Sequence, residues 1–396
     1  MQEEQINKHM SKNPSPSGRL GRGGVYIHIP FCKQACHYCD FHFSTSLKHK
    51  EAMINALVSE IEIRKSEFVD EVVATIYFGG GTPSVLSSEE INRLIDAVYE
   101  HYKVVENPEI TLEANPDDLS EARILEIANS RVNRLSIGVQ SFFEEDLKLM
   151  NRAHNAEEAK KSLSVATRYF ENISIDLIYG MPNMTNERWL ENIQTALSFG
   201  VPHISSYALT VEPKTALEKL IEKGKIDNVD DALAQEHFHI LIEVLSKEGF
   251  IHYEVSNFGK EGFFSQNNST YWQGKKYIGI GPSAHSFNGK ERSWNIANNA
   301  NYLKSLKLGE LPNEIEILSK KDRYNEYVMT GLRTIWGVSL DKVLEDFGNY
   351  YVEFLEKQSQ KHIEEGLLYL EEQVLKATKK GKFLTDGIAS DLFLLH

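Results

Sequence analysis

Three thiols dominate the chemistry open to this sequence. Cys32, Cys36 and Cys39 are its only cysteines, and they fall within eight consecutive positions of a 396-residue chain. A disulfide framework needs an even number of cysteines, spread along the chain. Thiolates bind soft or borderline metals, and close spacing lets one loop wrap an ion or a cluster. Zinc would take the three sulfurs and a histidine, for which His37 and His42 are at hand. A cubane iron–sulfur cluster would take three sulfurs and leave one iron without a protein ligand. Spacing alone leaves both open, and three inert buried cysteines account poorly for the clustering.

Other residue types gather around the same part of the chain. Gly79-Gly80-Gly81-Thr82-Pro83 can only be a turn, and its glycines would let backbone approach a ligand closely. A plain tight turn between strand and helix reads the same way. Glu113, Gln140 and Asp176 each lie in or end an apolar run, with Arg152 between the last two. A carboxylate in such a run costs free energy unless it is paired, so a ligand contact and a buried ion pair are both open. His28 sits in a strand-like run where it can hydrogen-bond internally. His154 and His203 are lone histidines, more in keeping with surface or satisfied core positions than with ligands.

The elements that must position these groups show a repeating rhythm. Strand-like runs occur at 25–29, 72–78, 109–114, 134–139, 173–178 and 203–209. Helical periodicity follows at about 46–66 (Ile54, Leu57, Ile61 and Ile63), then 87–102, 120–129, from 144 and again from 155, and 186–198. Alternating strand and helix argues for a parallel sheet, either open and doubly wound or an incomplete barrel. In both, chemistry gathers at the C-terminal strand ends. The expected organisation is a flexible polar tail (1–22), a barrel (23–228), an extension (229–310) and a C-terminal, mostly helical domain (311–396). The extension opens on a long helix at 229–248, and Gly381–Ile388 reads as a strand-turn signal.

Composition excludes several classes of function. Lys and Arg number 43 against 57 Asp and Glu, a net charge of −14, which disfavours nucleic acid and anionic lipid as partners. No run of 18 apolar residues suggests a transmembrane segment, and no apolar stretch near the N-terminus suggests a secretory signal. A cytoplasmic protein is expected.

Cys32-x3-Cys36-x2-Cys39, with Tyr38 before the last cysteine, resembles the signature of the radical S-adenosylmethionine (SAM) superfamily. The context Val25-Tyr26-Ile27-His28-Ile29-Pro30-Phe31-Cys32 is similar to the branch holding oxygen-independent coproporphyrinogen III oxidases and HemW-type heme chaperones. The resemblance runs from about residue 25 to the C-terminus. It implies an α/β fold, a partial (β/α)6 TIM-like barrel, with a C-terminal domain like that of the oxidases. It also implies a [4Fe-4S] cluster on Cys32, Cys36 and Cys39, with SAM chelating the open iron. Tyr26, Tyr38, Gly80, Gly81, Thr82, Glu113, Gln140, Arg152, Asp176 and Ala208 match SAM-binding positions, and the glycine turn would receive the SAM amino group.

Three departures separate the oxidase from the chaperone. Phe41 stands where the oxidase has a further cysteine, and only a polar tail precedes the first strand. Asn267-Asn268-Ser269-Thr270-Tyr271-Trp272 resembles the chaperone motif His-Asn-x-x-Tyr-Trp with its histidine replaced by Asn267; asparagine is not a usual axial ligand for heme iron, whereas histidine is. His285, in Gly279-Ile280-Gly281-Pro282-Ser283-Ala284-His285, could ligate heme, pack near SAM or be satisfied by hydrogen bonds. The resemblance therefore implies a chaperone that binds heme and delivers it to acceptor proteins. The alternative is a coproporphyrinogen oxidase using SAM-derived radical chemistry, and a third class is a zinc-bound structural protein.

Overall fold

The computed structural model describes residues 21–395. The proposed tail lies almost wholly outside that range, but Gly21 and Arg22 already belong to the first strand, which begins four residues earlier than its apolar run. Twelve strands form one sheet in the order β12-β11-β10-β9-β1-β2-β3-β4-β5-β6-β8-β7. Six of them, β1 (Gly21–Ile29), β2 (Glu71–Gly80), β3 (Val104–Ala114), β4 (Arg134–Gln140), β5 (Ile173–Tyr179) and β6 (His203–Ala208), are parallel and adjacent in chain order. A doubly wound sheet would reverse its strand order at a switch point. This one does not, so it winds in one direction as an open, partial barrel with its crossover helices on one side.

The helices form where the sequence caps them. Ser87 and Glu90 make a reciprocal capping box on Ser88–His101, and Asn155 and Glu158 do the same on Ala156–Tyr169. Met53, Ile54, Leu57 and Ile61 of Lys50–Ile63 are buried in the main core with the apolar faces of the strands. Ile63, read as part of that stripe, is 38% exposed, because the helix ends there.

Opposite strand faces differ in chemistry. Leu135, Ile137 and Val139 of β4 and Ile173, Ile175 and Leu177 of β5 pack into the apolar core. The alternate residues Ser136, Ser174, Asp176 and Ser205 hydrogen-bond among themselves and to neighbours on the other face. Barrel interiors are ordinarily filled by branched apolar side chains. This interior is polar, as a ligand chamber requires.

On the far side of β1, β9 (Tyr277–Ile280) pairs parallel to it, and β10 (His285–Phe287), β11 (Glu291–Asn295) and β12 (Asn313–Ile317) continue antiparallel. The large sheet thus reaches past residue 311. At the other edge are β7 (Ile251–Glu254) and β8 (Asn257–Gly259). A second core, from Tyr324 to Leu394, packs the helices Lys320–Leu332, Leu340–Phe347, Asn349–Glu364 and Thr385–Asp391 on a small antiparallel sheet. That sheet comprises β13 (Val338–Ser339), β14 (Leu368–Glu371) and β15 (Val374–Ala377). The strand-turn reading of Gly381–Ile388 is not what forms. A 3-10 turn, Lys382–Leu384, leads into the last helix, and Gly381 is needed for close packing, since a Cβ there would lie 2.1 Å from the Leu367 carbonyl oxygen. No helix among the described residues is long and apolar enough to cross a membrane.

Candidate functional site

The C-terminal ends of β1–β6 surround a cavity of about 380 Å³. Cys32, Cys36 and Cys39 line it from the loop after β1. Tyr38, Gly80, Gly81, Thr82, Glu113, Gln140, Arg152, Asp176 and Ala208 line it as well, so nine of the ten expected SAM contacts converge on one chamber. Tyr26 does not line it. Its ring stacks on Tyr77 at 6.1 Å and its hydroxyl lies 3.3 Å from His28 Nδ1.

Each side chain is held by a neighbour. Thr82 hydrogen-bonds the Cys32 thiol, while burial pushes that thiol up and pushes Cys39 up to about 11. Both are therefore protonated at neutral pH, and a metal would have to displace those protons. Arg152 Nη1 lies 3.4 Å from both Cys36 Sγ and the Tyr38 hydroxyl, and Nη2 donates to Asn115 Oδ1 at 2.7 Å and to the Gly138 carbonyl at 2.9 Å. This places a fixed cation beside the Cys36 sulfur. Asn115 was not singled out by sequence. It joins Arg152 to Thr82 Oγ1, and its place two residues past Glu113 was the only hint.

The histidines proposed for zinc are engaged elsewhere. His37 Nδ1 donates to the Leu149 carbonyl at 2.8 Å, and His42 Nε2 bonds Asn299 Oδ1 at 2.8 Å. Among the described residues no three His, Cys, Asp or Glu side chains are gathered as ligands to a single ion. Three thiols on one loop, with no histidine turned to join them, fit a multi-iron cluster with an open position better than tetrahedral zinc.

The N–H groups of the glycine turn are already committed, that of Gly80 to the Glu113 carboxylate. Gly81 and Thr82 give their N–H groups to the carbonyls of Ile29 and Phe31. What such a turn retains is carbonyl oxygen, an acceptor suited to an ammonium group. A Cβ on Gly81 would lie 2.6 Å from the Phe31 oxygen, so glycine is required for β2 to close against the start of the cysteine loop. Gln140 adopts φ +65°, a strained conformation for a residue with a side chain, at the rim of the same cavity.

Glu113 accepts from the Tyr77 hydroxyl at 2.8 Å and is pushed up to about 7, chiefly by burial. Asp176 accepts from Ser136 and is pushed up to about 6 for the same reason. Both carboxyls lie on the wall of the same chamber, where a nearby positive charge would favour their ionised forms.

The remaining histidines sort by accessibility. His28 is neutral, its value lowered to about 4 by burial, and bonds the His42 carbonyl. His203 is fully buried between Ser174 and Tyr253, and His154 bonds the Val139 carbonyl. Asn267 is 2% exposed, at the opposite end of the barrel from the cysteines; its Oδ1 accepts from Thr75 and its Nδ2 donates to Tyr271. It is a satisfied packing residue. His285 is exposed, at the start of β10, stacked on Trp294 with ring centres 6.0 Å apart.

Comparisons with known proteins show the family and the fold. The family model for the radical SAM superfamily matches residues 26–196, and that for the HemN C-terminal domain matches 318–384. The chain is 36% identical to a heme chaperone HemW of Lactococcus lactis, over 92% of this chain and 98% of the relative. It is 34% identical to the heme chaperone HemW of Bacillus subtilis, over 92% and 97%. It is 32% identical to the mitochondrial radical S-adenosyl methionine domain-containing protein 1 of Mus musculus, over 96% and 89%. The crystal structure of coproporphyrinogen III oxidase (HemN) from Escherichia coli superposes with a TM-score of 0.81 at 22% identity, covering 98% of this chain and 93% of that one. At that identity the likeness concerns the fold.

Proposed function

The chain belongs to the radical SAM superfamily and, within it, to the HemW family, and from that premise we propose that it binds heme and delivers it to acceptor proteins. The observation that carries the reading is the end-to-end match to proteins curated as heme chaperones. Phe41 at the cavity mouth, where the oxidase has a further cysteine, supports it. In this reading Cys32, Cys36 and Cys39 hold a [4Fe-4S] cluster, and SAM lies across the strand ends. When bound, the cluster supplies one electron and an open coordination position.

The chain's own residues do the rest. Arg152 offsets negative charge on the thiolates. Glu113 and Asp176 attract the cationic parts of SAM, and the glycine turn offers carbonyls to its amino group. Heme needs an accessible ligand that can let go, and Asn267 is neither exposed nor free. His285 suits the task. Its imidazole reaches solvent on one side and is flanked by Trp294 on another, and burial on that contact side together with the Arg292 charge lowers its proton affinity, leaving a lone pair at neutral pH. The reading places the protein in the reducing cytoplasm, where free thiols persist.

Heme titration of anaerobically reconstituted protein tests it, followed by mixing with an apo heme protein. Saturable uptake and transfer are expected. His285→Ala should weaken uptake roughly tenfold, or ~1.4 kcal/mol. Asn267→His should leave the heme spectrum unchanged. A parent protein that takes up no heme contradicts the function.

A further inference from the structure

One charge inside the barrel is unaccounted for. Arg134 opens β4 and is 2% exposed, among the largest fully buried side chains. Its Nε has no hydrogen-bond partner, and its guanidinium makes no ion pair among the described residues. The alternation of β4 puts it on the interior face with Ser136, below the chamber. Its register partner on β3, Thr111, is also fully buried, and its Oγ1 is likewise unpartnered. A buried cation with no counter-charge is costly, and proteins retain one where function uses the charge.

The interior offers Arg134 two natural counterparts, Glu113 and Asp176. Neither approaches it as an ion pair, yet both feel its charge, as does Tyr77 on β2. The other groups facing this space are neutral or engaged elsewhere: Tyr207 on β6 also lines the chamber, and Glu254 on β7 is paired with Arg333. His203 on β6 is held neutral by burial, and Tyr77, Tyr26 on β1 and Tyr253 on β7 are pushed up. Glu109 is committed to the backbone N–H groups of Gln266 and Asn267, and Arg152 to the cysteine loop and Asn115.

We propose that Arg134 is a positioning residue for the SAM site: a fixed interior cation that lets Glu113 and Asp176 stand ionised together, and so sets the pH range over which the chamber accepts a cationic ligand. This rests on the SAM reading of the cavity. The sign follows from charge. Below pH 6 both carboxyls hold protons and attract a cation poorly, and affinity rises as they ionise through the range 6 to 7. Without Arg134 ionisation needs a higher pH, so affinity falls near neutrality. At high pH, where both acids are ionised regardless, losing a like charge favours the cationic ligand. The affinity curves of parent and Arg134→Met should therefore cross.

Calorimetry of SAM binding to the reconstituted protein from about pH 5, about one unit below the titrating range, to about pH 9, about two units above it, tests this. Arg134→Met should bind about fivefold more weakly at pH 7 if the midpoint moves up one unit, and at least as tightly as the parent at pH 9. Arg134→Lys should restore most of the parent profile. Melting at pH 5, where the carboxyls are neutral, should be no lower in Arg134→Met than in the parent, because an uncompensated charge has been removed. A uniform loss at every pH with a lowered melting temperature would make Arg134 merely structural and overturn the proposal. Absence of SAM binding by the parent would overturn the SAM site itself, a separate result.

Discussion

At the residue scale, the site separates groups that hold a ligand from groups that hold the backbone. Gly81 and Asp176 illustrate the difference. Asp176 touches only side chains around the chamber, whereas Gly81 lies against two carbonyls at the start of the cysteine loop. Asp176→Asn should keep the iron and sulfide content of reconstituted protein while weakening SAM binding at pH 7. Gly81→Val should lose both, because β2 can no longer close on β1. Iron and sulfide analysis beside SAM titration checks this; full cluster content in Gly81→Val would show that the turn is not needed to shape the loop. Most of these residues were legible because their types jar with their setting, a carboxylate in an apolar strand or three thiols in eight positions. Asn115 was not, because an asparagine before proline is ordinary turn chemistry. Arg134 was hidden at a strand start, where a charged residue is usually exposed.

At the scale of elements, the barrel and its extension are joined by a buried polar knot. Glu60, fully buried on Lys50–Ile63, accepts from Arg64 at 3.1 Å, from Asn295 at 2.7 Å, from the Gly281 amide at 2.8 Å and from Tyr302. Arg64 in turn bonds the Gly279 carbonyl and Ser286. This ties β9–β11 and Asn299–Lys307 to the helix beside β1, and Asn299 then holds His42 at the end of the cysteine loop. Glu60→Ala leaves Arg64 paired only with the half-exposed Glu67 and strips Asn295, Tyr302 and the Gly281 amide of their buried acceptor; it should cost about 3–5 kcal/mol, read by denaturant unfolding. A loss under about 1 kcal/mol, the range of exposed pairs, would mean that the knot does not carry the extension. The βα rhythm was legible because strands and helices alternate with different periods. The sheet's continuation through β9–β12 was not. Its strands are only three to five residues long, and the first of them, β9, pairs with β1, more than 250 residues earlier in the chain. Gly381 misled for a related reason: glycine marks close approach as well as turning, and only tertiary packing tells which.

At the scale of the whole molecule, one sheet carries the site and its extension, and a second core is fastened to it. Arg333 bridges Glu254 and Asp386 and lies over the Trp272 ring, while the Val255 and Ile335 amides bond across the junction. The parallel wall brings the three cysteines and nine of the ten expected SAM contacts to one end of the barrel. Singly wound strand order could not be told from a doubly wound one by periodicity, since both alternate strand and helix. It was the family resemblance that pointed to the barrel. The central claim is that this radical SAM protein carries heme and does not convert a porphyrinogen. The direct test is an anaerobic assay of the reconstituted protein with SAM, a low-potential reductant and coproporphyrinogen III, run beside heme transfer by the same preparation. Heme transfer with no protoporphyrinogen is predicted; repeated turnover to protoporphyrinogen would contradict the account.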